Sequence, residues 1–254
     1  MRSRSFYLIL AFLWIPFHTS QAERIDSEMY LTSEPVRILI FSKTDGFRHA
    51  SIEPAIDVVR TMGHTYGFEV EATENSDWFT EERLNRYDAV FFLNTSMTLF
   101  NDTQRAAFEQ YIRSGGGYIG THSAADSEYD WPFYGVLAGA WFKNHPPVQE
   151  GEIVVKNHSH PATAVLPPRW RIEDEWYNFR ELPEGVTVLA ELDTESIDGS
   201  EHPGYHPATW YHAVDQGRAF YTVMGHAEST WEHPHFLNQI LGAIRYATGV
   251  STAP

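Results

Sequence analysis

The sequence predicts an α/β protein: a doubly wound parallel sheet carrying an inserted β-rich or irregular region. Three observations carry that prediction. Short, apolar, β-branched runs alternate with helix-length stretches through the first half of the chain, which implies right-handed crossovers between parallel strands. At least one run, Tyr87 to Leu93, is apolar at every position but Asp88, continuous enough for a strand covered on both faces. Between about residues 131 and 207 the alternation gives way to short strand-like segments separated by Pro, Gly and His turns.

The elements follow in order. Arg2 and Arg4 precede an apolar run from Phe6 to Phe17, and Ser20-Gln21-Ala22 gives a small-x-small cleavage pattern, so residues 1–22 read as a secretory signal peptide. The run is shorter than the ~20 residues a membrane span needs. The domain is then expected over 23–254, secreted or periplasmic, with no membrane contact after cleavage. Val36 to Phe41 reads as a strand, Ser42 to His49 as a loop and Ile52 to Gly63 as a helix. Phe68 to Ala72 and Tyr87 to Leu93 are the next strands. Asn101-Asp102-Thr103-Gln104 offers a helix start before Arg105–Ser114, and Gly115-Gly116-Gly117 stops that helix. Tyr118-Ile119-Gly120 is a fourth strand that delivers Thr121-His122-Ser123. In the inserted region Glu152 to Val155 and Val186 to Ala190 alternate; Ala208 to His212 and Gly217 to Val223 resume strand character, and Phe236 to Ala247 closes as an amphipathic helix.

Charge and composition exclude several classes. Loss of Arg2 and Arg4 leaves 16 basic against 34 acidic side chains, a formal charge of −18, which repels nucleic acid and anionic membrane surfaces. The chain has no cysteine, hence no disulfide, thiol nucleophile or thiolate ligand. The loops after the first and fourth strands lack a phosphate-cradling Gly-x-Gly-x-x-Gly or Walker pattern, which argues against nicotinamide, flavin and ATP.

In an open parallel sheet, ligands bind beyond the carboxyl ends of the strands. Those positions hold Arg48-His49, Asn94, His122 with Asp126, and His226: histidines from three strands aimed at one edge. Two chemistries suit them. In one, His49, His122 and His226, with Asp126 or Glu175, bind a divalent metal such as zinc, manganese or nickel. In the other, His122 or His226 is a metal-free base and Glu175 or Asp126 its partner or acid. Arg48 and Asn94 are candidates to orient a substrate, and His145 to reach over the pocket. Trp141, Trp176 and Tyr177 are candidates to stack on a sugar ring.

The run Arg37 to His49, the segment Gly115 to Ser123, Asp174-Glu175-Trp176-Tyr177 and Phe220 to His226 resemble the ThuA-like family over nearly the whole chain. The resemblance implies a fold similar to class I glutamine amidotransferases, itself flavodoxin-like, and a link to sugar catabolism, including trehalose or 3-keto sugars. In those amidotransferases the strand-to-helix elbow presents a cysteine; here the corresponding place holds His122, so thiolate glutaminase chemistry is excluded. No Gly-x-Ser-x-Gly surrounds Ser123 to make it a hydrolase nucleophile. The expectation is an exported enzyme acting on a small-molecule carbohydrate as hydrolase, lyase or isomerase; the alternative is a non-catalytic carbohydrate-binding or sensing domain on the same fold.

Overall fold

The computed structural model of the chain describes residues 34–250, and the signal-peptide expectation for residues 1–22 lies outside them. Eleven strands and five helices follow one another as β1 (Val36–Phe41), α1 (Ile52–Tyr66), β2 (Phe68–Thr73), α2 (Glu81–Leu84), β3 (Ala89–Leu93), α3 (Asp102–Arg113), β4 (Gly117–Thr121), α4 (Pro132–Ala138), β5 (Phe142–Asn144), β6 (Gln149–Val155), β7 (Arg169–Asp174), β8 (Asn178–Phe179), β9 (Thr187–Leu192), β10 (Pro207–Val214), β11 (Gly217–Thr222) and α5 (Pro234–Thr248).

One nine-stranded sheet runs in the order β2-β1-β3-β4-β11-β10-β9-β6-β7. From β2 to β11 neighbours are parallel. Taken in chain order those five strands are arranged 2-1-3-4-5, the flavodoxin-like order, with the reversal between β1 and β3. Beyond β11 every pairing is antiparallel. The region 131–207 is inserted between β4 and β11, the last strand of the parallel half, and most of it joins the main sheet instead of forming a separate layer. Its longer strands, β6, β7 and β9, extend the same sheet, and only β5 and β8 stand apart as a two-stranded pair. Sequence pattern could not show this, because a hydrogen-bonded neighbour leaves no periodicity. β7 itself was missed, although Arg169–Asp174 alternates exposed and buried residues strictly.

Helices cover both faces of the parallel half. From β3, Phe92 packs on Phe108 of α3 and Tyr134 of α4, while its neighbour Phe91 faces Trp231, which in turn meets Phe236 of α5. The start of α3 is the one read from sequence: Asn101 Oδ1 accepts from the Gln104 N–H at 3.0 Å, and Gln104 Oε1 accepts from the Asn101 N–H at 3.0 Å. The glycines after α3 let layers touch. A Cβ on Gly117 would stand 2.4 Å from the Ala247 carbonyl oxygen of α5, so only glycine lets that helix lie against β4.

Candidate functional site

The carboxyl ends of β1, β4 and β11 deliver three imidazoles to one place, and the end of β7 adds a carboxylate. His49, His122, Glu175 and His226 each present a ligand-type atom, and those atoms lie within 4.8 Å of one another. The three imidazole centroids are 4.7, 5.1 and 5.2 Å apart. The sequence requirement that the three histidines open at the same end of the sheet is met.

Backbone geometry aims His122. It follows β4 at φ 45°, a left-handed conformation that a non-glycine residue adopts at a cost of about 1 kcal/mol or more. This is a strained strand-to-helix elbow with histidine at its apex. The Tyr221 hydroxyl donates to the His122 carbonyl at 2.7 Å and holds the turn. His122 Nδ1 lies 2.9 Å from the Val223 carbonyl oxygen, which can only accept, so Nδ1 carries a proton and Nε2 is the nitrogen turned to the cluster. That Nε2 is buried without a hydrogen bond and sits 3.3 Å from Glu175 Oε2.

The other two imidazoles are held differently. His49 is buried, its Nδ1 3.3 Å from Ser123 Oγ; burial, then His122 and His226, lower its pKa to about 3, so it is a neutral imidazole. His226 Nδ1 is buried without a hydrogen bond, 3.5 Å from Glu175 Oε2, and that carboxylate holds its pKa above the ordinary histidine value. Burial opposes ionisation of Glu175, yet His122 and His226 more than offset it and keep the carboxyl well below the usual range. The second oxygen of Glu175 lies 3.1 Å from His145 Nδ1. His122 has the arrangement of a metal-ligating histidine, its far nitrogen tied to a carbonyl while the near one faces a carboxylate.

The cluster opens into a cavity of about 320 Å³ walled by Phe47, Asp126, Phe142, His145 and Tyr177. Asp126 accepts a hydrogen bond from the Tyr129 hydroxyl, and burial raises its pKa despite that donor. Tyr177 lies against His122, ring centroids 4.1 Å apart, and Phe142 against Tyr177 at 4.2 Å. A larger cavity, about 500 Å³, lies around Trp141 and Arg180, but no metal-type cluster opens into it among the described residues.

The family profile described as ThuA, trehalose utilisation, matches residues 37–247. The chain belongs to the ThuA family. Among solved structures, a ThuA-like protein from Bacteroides uniformis superposes with a TM-score of 0.71 at 23% identity, over 84% of this chain and 91% of that one. A ThuA-like protein from Parabacteroides merdae gives 0.71 at 17%, over 87% and 94%. A cytoplasmic protein from Salmonella typhimurium gives 0.61 at 12%, over 84% and 99%. At these identities the likeness concerns the fold. No curated protein sequence matches the chain.

Within this ThuA-family domain, four of the residues singled out from sequence stand outside the cavity. Arg48 turns away to ion pairs with Glu53 and Glu74 at 2.5 and 2.7 Å. Asn94 is fully buried, donating to Ser51 Oγ at 3.1 Å and the Gly225 carbonyl at 2.8 Å, and it ties the loops beneath the cluster together. Trp176 is core, its indole N–H donating to the Gln149 carbonyl at 2.9 Å. Trp141 lines the larger cavity instead. Sequence reasoning missed Phe47, a residue 67% exposed whose ring lies 4.8 Å from that of His49, and Phe142. Phe47 carried a signal, its place in the loop after the first strand; Phe142 carried none.

Proposed function

We propose that this ThuA-family protein is an exported enzyme that processes a small-molecule carbohydrate at a divalent-metal centre held by His49, His122, His226 and Glu175. One observation carries the reading: His122 Nε2 and Glu175 Oε2, an imidazole nitrogen and a carboxylate oxygen, face each other at 3.3 Å in a buried position with no hydrogen bond between them. Either a proton or a metal cation reconciles two such groups. The metal is favoured because His49 and His226 bring two further imidazoles to the same point, and three imidazoles this close and this buried cannot all be cationic. Three imidazoles and one carboxylate suit zinc, manganese or nickel.

A metal bound there supplies Lewis-acid polarisation of a carbonyl or hydroxyl oxygen. The chain's own residues do the rest. Asp126 faces the same cavity with a raised pKa and is suited to carry a proton to or from the substrate. Tyr177, Phe142 and Phe47 offer aromatic faces to the apolar side of a sugar ring. The trehalose-utilisation family supports a carbohydrate substrate, and Arg2, Arg4 and the apolar run to Phe17 support export.

The test is elemental analysis of the purified protein before and after chelator, followed by titration of the cobalt-loaded protein with trehalose and with glucose. About one chelatable metal per chain and a sugar-dependent change in the cobalt spectrum are expected. A protein that binds no divalent metal returns His122 and His226 to metal-free acid–base roles. Sugar binding without turnover of any glycoside or keto-sugar makes the domain a binding or sensing module.

A further inference from the structure

β7 is the last strand of the sheet, separated from β11 by β10, β9 and β6, and yet its final residue reaches the loop that follows β11. The antiparallel half curls back over the carboxyl edge. Trp170 of β7 stacks on His233 at 5.0 Å, and Asp174 inserts among the residues just past β11. The two halves meet here, and this meeting places Glu175 beside histidines that all come from the parallel half.

Asp174 is the tie. Its carboxylate is fully buried. Oδ2 accepts from the Gly225 N–H at 2.9 Å and from the Thr230 hydroxyl at 2.9 Å. Oδ1 accepts from the His226 N–H at 3.1 Å and from the Glu175 N–H at 2.8 Å. All four acceptor positions of the carboxylate are used, two on each oxygen. The two backbone groups on Oδ1 belong to two members of the cluster, one from each half of the sheet. An asparagine could accept on one oxygen only, and its amide would point two hydrogens at N–H or O–H donors. A buried carboxylate is an expensive way to tie two loops unless its charge and its doubled acceptor capacity are needed.

We infer that Asp174 is a positioning residue of the metal centre: through four hydrogen bonds it sets the separation of Glu175 from His226, and its charge favours a cation at the cluster without touching it. This rests on the metal reading above. Residues that act on a metal through its ligands are worth about 10–100-fold in affinity.

The experiment compares wild type, Asp174→Asn and Thr230→Val for zinc Kd, by competition with a chromophoric chelator, for the cobalt absorption spectrum, and for Tm without metal. Asp174→Asn is expected to weaken zinc about 10–100-fold and to alter the cobalt spectrum. Thr230→Val, which removes one donor of four, is expected to weaken zinc by less. A merely structural tie would lower Tm while leaving the Kd and spectrum of the folded protein unchanged, and that result overturns the inference. Should Asp174→Asn fail to fold, Thr230→Val decides: an unchanged zinc Kd in that variant overturns it as well. If wild type itself binds neither zinc nor cobalt, the metal reading falls and takes this role with it. Wild-type binding matched by Asp174→Asn removes only the role of Asp174.

Discussion

His122 Nε2 and Glu175 Oε2 lie 3.3 Å apart at the seam between the parallel and antiparallel halves of the sheet, while His122 Nδ1 donates to the Val223 carbonyl on the far side of the ring. Two acceptors held this close are stable only with a positive charge between them or on one of them. The predictions for metal binding and for the neighbouring carboxylates start from that contact.

Removing the histidine should remove the metal. His122 sits at φ 45°, where asparagine is better tolerated than alanine, so His122→Asn is the variant of choice. Zinc affinity is expected to fall by more than about 100-fold, beyond the loss typical of outer residues. Retention of stoichiometric metal in the folded variant would exclude His122 as a ligand.

The two carboxylates of the cavity should separate cleanly. Glu175→Gln withdraws the one carboxylate of the cluster and is expected to abolish tight metal binding. Asp126 is outside the cluster and bonded to Tyr129, so Asp126→Asn should keep the metal and lower turnover about 10²–10⁴-fold, the range for a lost proton carrier. Metal analysis and single-turnover rates on both variants check this, and equal metal loss in both would contradict the assignment.

Arg48 and Trp176 should behave as structural residues. The Arg48 pairs with Glu53 and Glu74 are solvent-exposed, so Arg48→Ala is expected to change stability by less than about 1 kcal/mol and to leave metal and sugar affinity unaltered. Trp176→Phe leaves a gap in the core and the Gln149 carbonyl without its donor, and should cost about 1–3 kcal/mol in urea unfolding. A loss of sugar binding in Arg48→Ala would restore its substrate-facing role.

Acid should destabilise the fold through buried histidines that are not members of the cluster. Burial lowers His160 and His206 to about 4, whereas in the unfolded chain each titrates near the ordinary histidine value. Between that value and pH 4 the unfolded state takes up protons that the native state refuses, so this stability is fully present above about pH 6.5 and declines as the pH falls toward 4. The full effect is on the order of 3 kcal/mol per histidine. His160 packs among Tyr211, Phe220 and Tyr246, so phenylalanine fits the site. Tm measured at pH 7 and pH 5 should differ less in His160→Phe than in wild type; an unchanged difference would show that His160 titrates normally.

Much of the fold was legible because the parallel half obeys local rules. Continuous apolar runs, the Asn101–Gln104 capping box and the glycine stop before β4 each act within a few residues, and each appears where the sequence placed it. The antiparallel half was only partly legible. β6 and β9 were read as strands, but their membership in the main sheet depends on hydrogen bonds to strands dozens of residues away, which leave no trace in periodicity.

The sequence by itself determined the α/β class, the absence of thiol chemistry, the edge at which chemistry gathers and the three histidines that gather there. Those follow from strand periodicity, from composition and from the rule that places loops after parallel strands at one edge. Tertiary structure alone decided which carboxylate joins them, that Arg48 and Trp176 do not, and that Phe47 and Phe142 line the cavity. The physical reason is the curl of the antiparallel half: Glu175 reaches His122 and His226 only because Asp174, at the end of the edge strand, bonds to the Gly225–Thr230 loop across the width of three strands.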